Sequence, residues 1–392
     1  MSLYAQHGYG KGNKIKYAAQ AGTIDGVIFS ARHEKPSNVK QCIAELKEIR
    51  EDFTAMLDPQ FFVSYLQDPR DGCLPDHWSS YYSAGRTRRD FRGPKALLKH
   101  AKNTLVAQMN LGVDRLVSPS IFFRSFDENA CEVAMQLAFA SVEAHAQIED
   151  APPILISFQI EESALNYAEP MERFLDEMTA AELPGFYLTF GRPDSIRWPR
   201  CREEVLARMM YIVHVLKLND REVYCGYSDW GGLLFRAVGA DAFATGWHLS
   251  SKTFRISSFC GSKTGGRQVL YYSSVPLLNQ IRLTDVMAVR RRQISHLVRS
   301  RTPADRRIAD WSLQLAQLQH WEALHSVSSS LQGDVESNLD SLDTRLSTAA
   351  AAFQQIRDAG VIFDQADVDG HVKDWQKAIR QFRVLAELDD QG

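Results

Sequence analysis

The stretch TIDGVIFSARHEKPSNVKQCIAELKEI, residues 23–49, holds the decision about the fold. Its first eight residues, Thr23 to Ser30, form a β-branched and aromatic run of strand length. From Ser37, whose hydroxyl suits an N-cap, Val39, Cys42, Ile43, Leu46 and Ile49 recur at helical spacing. The turn between the two reads SARHEKPS, with no glycine-rich phosphate fingerprint, and neither GxGxxG nor GxxxxGK[ST] occurs elsewhere in the chain. An open doubly wound sheet usually declares itself at that turn, so the unit favours a closed barrel, with the open sheet as the alternative.

Outward from this unit the same rhythm continues. Phe53 to Leu57 is a second strand ending in Asp58-Pro59, and residues 66–93, rich in Pro, Gly, Tyr and Arg, read as a long loop. Helix and strand then alternate through Leu116–Phe123, Pro153–Ile160, Gly185–Phe190, Glu222–Cys225, Asp241–Trp247 and Gln268–Tyr272. That makes eight strands, the number of a (β/α)8 TIM-like barrel. After Ile281 strand signals cease. Thr302-Pro303-Ala304-Asp305 starts a helix, and Val335, Leu339, Leu342, Leu346, Ala349, Phe353 and Ile356 form a heptad seam. Val372, Trp375, Ile379 and Phe382 repeat the pattern. The expected division is a barrel over residues 1–285 and a C-terminal α-helical domain over 286–392. That domain is either an intramolecular bundle or a surface for a protein partner or self-association through residues 335–382.

Composition narrows the classes. The 392 residues carry 45 Lys+Arg against 48 Asp+Glu, a net charge of -3, with 45% hydrophobic and 24% charged residues. Disorder, collagen-like repeats and bulk polyelectrolyte binding are excluded. Residues 333–392 hold 12 acidic and 6 basic side chains, which leaves +3 on the remainder. Such an acidic helical end suits protein contacts better than nucleic acid. Six cysteines lie far apart, without a CxxC pair, and the first residues lack the apolar core of a signal peptide, so a cytoplasmic address is expected. No apolar run approaches the roughly 20 residues that span a bilayer, so no membrane partner is expected.

In a barrel, chemistry sits where the strands end, and the residues there are polar. Asp58, Glu161 and Asp229 are the candidate catalytic carboxylates, with Glu161 preferred over Glu162 because alternation puts it on the face of Gln159. His33, Arg124, Gln159, Arg192, Tyr227 and His248 are candidate substrate contacts. Lys252, Lys263 and Arg267 are candidate phosphate ligands, the last two in the flexible GSKTGGR segment. Arg86, Arg88, Arg89 and Arg92 lie among Tyr81, Tyr82 and Phe91, a pattern that suits single-stranded nucleic acid. Arg290 to Arg292 with Arg299, Arg301, Arg306 and Arg307 make a second basic patch. No HxH, HExxH or cysteine cluster is present, and Asp364, Asp367 and Asp369 do not fit a calcium loop, so no metal or other cofactor is expected. A nucleotide or nucleic acid is the expected ligand.

Residues 222–255, EVYCGYSDWGGLLFRAVGADAFATGWHLSSKTFR, resemble the late barrel segment of tRNA-guanine transglycosylases. The shared elements are a glycine-ended strand, a short helix over the small-residue turn Ala237 to Asp241, and a strand leading into a polar loop. The resemblance covers about a tenth of the chain. It implies a barrel that exchanges or recognises a guanine-like base, as a transferase or hydrolase, with two aspartates and a structural zinc. The family's nucleophilic aspartate falls at about Ala244, and its zinc cysteines are absent, so no catalytic residue carries over.

Overall fold

The computed structural model describes residues 2–9, 13–194, 199–261, 269–365 and 367–388. Eight parallel strands form a nearly closed barrel: β1 (Ser2–Gln6), β2 (Gly26–Ser30), β3 (Thr54–Asp58), β4 (Leu116–Val117), β5 (Ile154–Glu161), β6 (Gly185–Gly191), β7 (Glu222–Gly226) and β8 (Ala242–Thr245). β8 returns to pair with β1, Ser2 opposite Ala242. The strands are buried on both faces, so they read as continuous apolar runs rather than as alternating ones.

The barrel interior is a layer drawn from every strand: Tyr4, Ile28, Met56, Val117, Leu155, Tyr187, Tyr224, Ala242 and Ala244. The remaining seam lies between β3 and the two-residue β4, where one bridge, Met56 to Arg115, closes the ring. A side chain completes it. From α3 (Pro94–Met109) the buried Gln108 accepts from the Val117 N–H at 3.0 Å and donates to the Val117 carbonyl at 2.8 Å, as a neighbouring strand would.

The strand set differs from expectation in two places. The barrel begins with Ser2–Gln6, an unexpected strand whose last four residues are all buried, so no alternation marks it. Tyr271–Ser274, at the end of the expected strand Gln268–Tyr272, instead pairs antiparallel with Asn279–Arg282 in a hairpin outside the barrel, β9 and β10. Strand propensity reports a half-buried pleated surface and carries no information about which partner will cover it.

The helices follow from the strands: α1 (Lys14–Gln20), α2 (Pro36–Ile49), α3, α4 (Asn129–Ala146), α5 (Ala168–Ala180), α6 (Glu203–Leu218) and the short α7 (Gly232–Ala237). The eighth position is taken by α8 (Leu313–Ser328), which packs on β1, α1 and α7 and whose Trp321 indole donates to the Thr245 carbonyl at 3.2 Å. The barrel unit thus runs to residue 328, and the expected break at 285 falls inside it. The described residues between β8 and α8, 249–261 and 269–312, build one side of the mouth.

Two further helices, α9 (Val335–Asp358) and α10 (Gly370–Leu385), pack outside the barrel. The heptad seam is spent within the chain: Leu339, Leu342, Leu346 and Ala349 are fully buried, α9 lies on α7 and α10, and α10 lies on α6 with Phe382 against His214. These seam positions therefore form an intramolecular packing face, not an exposed one. Among the described residues no helix is long and apolar enough to cross a membrane.

Candidate functional site

Above the apolar layer of the barrel the inward positions turn polar. Gln6, Ser30, Asp58, Ser157, Gln159 and Thr189 follow at the upper strand ends, all buried. Asp58 accepts from the Gln60 N–H at 3.0 Å and from the Tyr227 hydroxyl at 3.3 Å. Burial raises its carboxyl to about 6, against the pull of those hydrogen bonds. A chain of hydrogen bonds leads outward from it. The Gln60 amide donates to Tyr227 at 3.1 Å and accepts from Ser30 at 2.8 Å, and Ser30 accepts from His33 Nδ1 at 3.1 Å. Burial, then Arg32, lowers His33 to about 3, so the ring is neutral and its Nε2 accepts from Arg32 at 3.3 Å.

The axial mouth above Asp58 is plugged. Phe254 is fully buried against Tyr227 at 5.5 Å, Phe62 at 5.3 Å, Phe259 at 5.4 Å and Phe122 at 6.0 Å. The open space lies to one side, over the ends of β1, β2 and β8, as a cavity of about 1230 Å³. Tyr9 and Lys14 come from the β1 end and Arg32 and His33 from the β2 end. Arg70 comes from the segment after β3, and Trp247, His248, Lys252 and Arg255 from the β8 end. Tyr271, Gln280 and Arg282 reach it from the hairpin, and Asp229 and Asp194 are its two carboxylates. Arg255 faces Asp194 at 4.0 Å and Arg282 faces Asp364 at 3.5 Å. Among the described residues, Lys14, Arg32 and Arg70 stand in no ion pair with a carboxylate, and Lys252 interacts with Asp229, which leaves an excess of positive charge on the wall.

The turn GYSDWGG, residues 226–232, sets two side chains in different places. Tyr227 and Asp229 both have left-handed φ, 53° and 44°. These local conformations point Tyr227 at the plugged axis and Asp229 at the cavity floor. Asp229 accepts from Thr245 at 3.1 Å and from His320 Nε2 at 2.7 Å. His320, on α8, accepts at Nδ1 from the Ser273 hydroxyl at 2.7 Å, and Ser273 accepts from the Gln280 amide at 3.0 Å. Gln280 in turn accepts from Lys252 Nζ.

Charges in this ring follow from burial. Burial, then Lys252, lowers His320 to about 4, so it is neutral and donates through Nε2. Burial pushes the Asp229 carboxyl up, but His320, Lys252 and the hydrogen bonds outweigh it and hold it below the usual range. Burial lowers Lys252, with Asp229 opposing.

The sequence candidates separate on this map. Asp229, His33, His248 and Lys252 line the cavity; Asp58, Gln159 and Tyr227 lie below the aromatic plug. Glu161 sits at the rim beside the exposed Arg124, at 3.5 Å, with Ser163 donating to it at 2.9 Å. Its neighbour Glu162 is the buried carboxylate and faces Arg192 at 3.0 Å. Strand alternation stops at Glu161 because a 3-10 turn begins at the next residue, which reverses the expected order. Lys263 and Arg267 lie outside the described residues.

The arginine loop differs from expectation as well. Arg86 stacks on Phe61 at 5.0 Å and donates to the Tyr81 carbonyl at 2.5 Å. Arg88, Arg89 and Arg92 are exposed, but Tyr81, Tyr82 and Phe91 are core residues that cannot stack on bases. Aromatic and basic residues alternate there because one set packs down and the other is solvated.

Sequence reasoning missed Tyr9, Lys14, Gln280, Ser273 and His320. The glycine-rich sequence HGYGKG after β1 marks the first two; nothing in one sequence links Ser273, Gln280 or His320 to Asp229. Gly246 matters for the same site, since a Cβ there would lie 2.2 Å from Ser251 Oγ and 2.3 Å from the Gln6 carbonyl. Its absence lets the turn carrying Lys252 close onto the end of β1. Among the described residues no group of three His, Cys, Asp or Glu could hold a metal. No family model matches the chain, and no curated protein matches it.

Proposed function

We propose that the chain binds a phosphorylated, ring-bearing ligand of the nucleotide class in the lateral cavity and acts on it through carboxylate chemistry at Asp229. The observation that carries this reading is the positive wall of Lys14, Arg32 and Arg70, none of them in an ion pair among the described residues, beside the rings of Tyr9, Trp247 and Tyr271. Cations without carboxylate partners attract phosphate, and aromatic faces accept a planar ring. Among the described residues Asp229 is the one buried carboxylate on that wall, ionised and fixed in orientation by two donors. It suits a nucleophile or a group that stabilises developing positive charge. Asp58, with a carboxyl near 6, suits proton exchange, and its hydrogen-bonded chain through Tyr227, Gln60 and Ser30 ends at His33 on the cavity wall. A transferase or hydrolase acting beside a nucleobase would use such a pair, in keeping with the transglycosylase-like resemblance of residues 222–255.

Calorimetric titration with nucleoside mono-, di- and triphosphates tests the reading. Binding is expected to weaken about tenfold or more in Arg70→Ala, as loss of a charge-assisted hydrogen bond of ~1.5–3 kcal/mol requires. Absence of binding, or binding indifferent to Arg70, would refute it.

A second reading, docking onto a nucleic acid, rests on Arg290, Arg291, Arg292, Arg299, Arg301, Arg306 and Arg307, all of them exposed. It requires affinity that falls steeply with salt and falls again when Arg291 and Arg292 are removed together.

A further inference from the structure

Lys252 differs from the surface lysines of this chain. Its side chain is buried to 9% exposure, yet it lines the cavity, on the wall that also holds Asp229. Its Nζ donates to Gln280 Oε1, and the far end of that amide is tied to the Ser273 hydroxyl at 3.0 Å and lies 3.2 Å from His320 Nδ1. Ser273 is itself held through its backbone, N–H and carbonyl both, by Gln319. A buried relay from β9, β10, α8 and the turn after β7 thus fixes one amine in the cavity wall. Such an arrangement exceeds what a phosphate contact needs, because a flexible exposed ammonium binds phosphate equally well.

We propose that Lys252 is a nucleophilic amine that forms an imine with the carbonyl carbon of a phosphorylated aldehyde, such as the ring-opened sugar of a sugar phosphate. The neutral Nζ adds to the carbonyl carbon and gives up its two protons, the carbonyl oxygen takes both and leaves as water, C=N replaces C=O, and one proton from solvent then charges the imine nitrogen. Asp229 faces the protonated imine and stabilises its charge. Arg32 and Arg70 hold the phosphate. Burial, which lowers the amine's proton affinity, favours the neutral form the step needs. The proposal rests on the cavity being an anion site, as inferred above, and adds the reacting group.

Pyridoxal 5′-phosphate, which joins an aldehyde, a phosphate and a ring, is the probe. The full chain is incubated with it, reduced with borohydride and mapped by peptide mass spectrometry, with inorganic phosphate as competitor. Ribose 5-phosphate is run in parallel. Lys252 is expected to be modified roughly tenfold or more faster than any exposed lysine, because prior binding of the phosphate brings the aldehyde to the amine. Inorganic phosphate should suppress that labelling. Lys252→Arg, whose guanidinium cannot add to a carbonyl, should lose the adduct. Labelling spread over exposed lysines while phosphate still stabilises the chain would overturn the imine and leave the anion site standing. No labelling at Lys252 together with no effect of phosphate would overturn both.

Discussion

At the scale of single residues, Asp58 carries a stability signature as well as a candidate role. Its carboxyl titrates near 6 in the folded chain against about 3.9 for a free aspartate. The folded state therefore binds the proton more tightly, and stability is lost as pH rises from about 4 through 6, by about 3 kcal/mol once both states are ionised. Asp58→Asn keeps the hydrogen bond from the Gln60 N–H and removes the buried charge. It is expected to gain about 1–3 kcal/mol at pH 7 and to flatten that part of the profile. Urea midpoints between pH 4 and 7 read this directly; an unchanged slope would show that Asp58 does not ionise there. His320 has the opposite character, since it supplies one of the two hydrogen bonds to a buried, ionised Asp229. Removing it in His320→Ala takes one donor from that carboxylate and is expected to cost about 1.5–3 kcal/mol, measured by the same denaturation.

At the scale of elements, the shortest strand is the weak point of the barrel. β4 has two residues, and Gln108 supplies from a helix the hydrogen bonds that a longer β3 pairing would have made. Gln108→Leu matches the volume but leaves the Val117 N–H and carbonyl buried and unpaired, for a loss of about 2–4 kcal/mol. Gln108→Glu, which keeps one acceptor, should lose less when protonated than when ionised, so its deficit should shrink toward low pH. The helix α9 makes a different point. Leu342→Ala is expected to cost about 2–5 kcal/mol through a cavity between α9, α7 and α10, with the same sedimentation behaviour as the parent. A change in oligomeric state without loss of stability would instead restore the assembly role that the heptad spacing first implied. Spacing showed that α9 has an apolar stripe; whether the stripe meets another chain or its own barrel depends on connections that no local window contains.

At the scale of the whole molecule, the insertion between β8 and α8 decides where a ligand can go. Phe254 and Phe259 of that insertion close the axis, and β9 and β10 wall the cavity beside it. Binding there should therefore stabilise barrel and insertion together. A nucleotide or phosphate ligand at a hundred times its Kd is expected to add about 2.7 kcal/mol to unfolding, as a single cooperative shift in Tm. Two separate transitions, with only one moving, would show that the insertion melts apart from the barrel.

The sequence by itself determined the alternation of strands and helices, the barrel class, the polarity of the strand ends and the apolar stripes of α9 and α10. These follow from side-chain period, which the chain carries locally. It marked Asp229, His33, His248 and Lys252 because each ends a strand. Only the tertiary structure decided that Ser2–Gln6 is the first strand, that Glu162 turns in where Glu161 turns out, and that the mouth opens sideways. It alone brought Ser273, Gln280 and His320 to Asp229 across the chain. Those outcomes depend on which surfaces remain to be covered once every other element has packed, a quantity that belongs to the assembled core and to no segment of it.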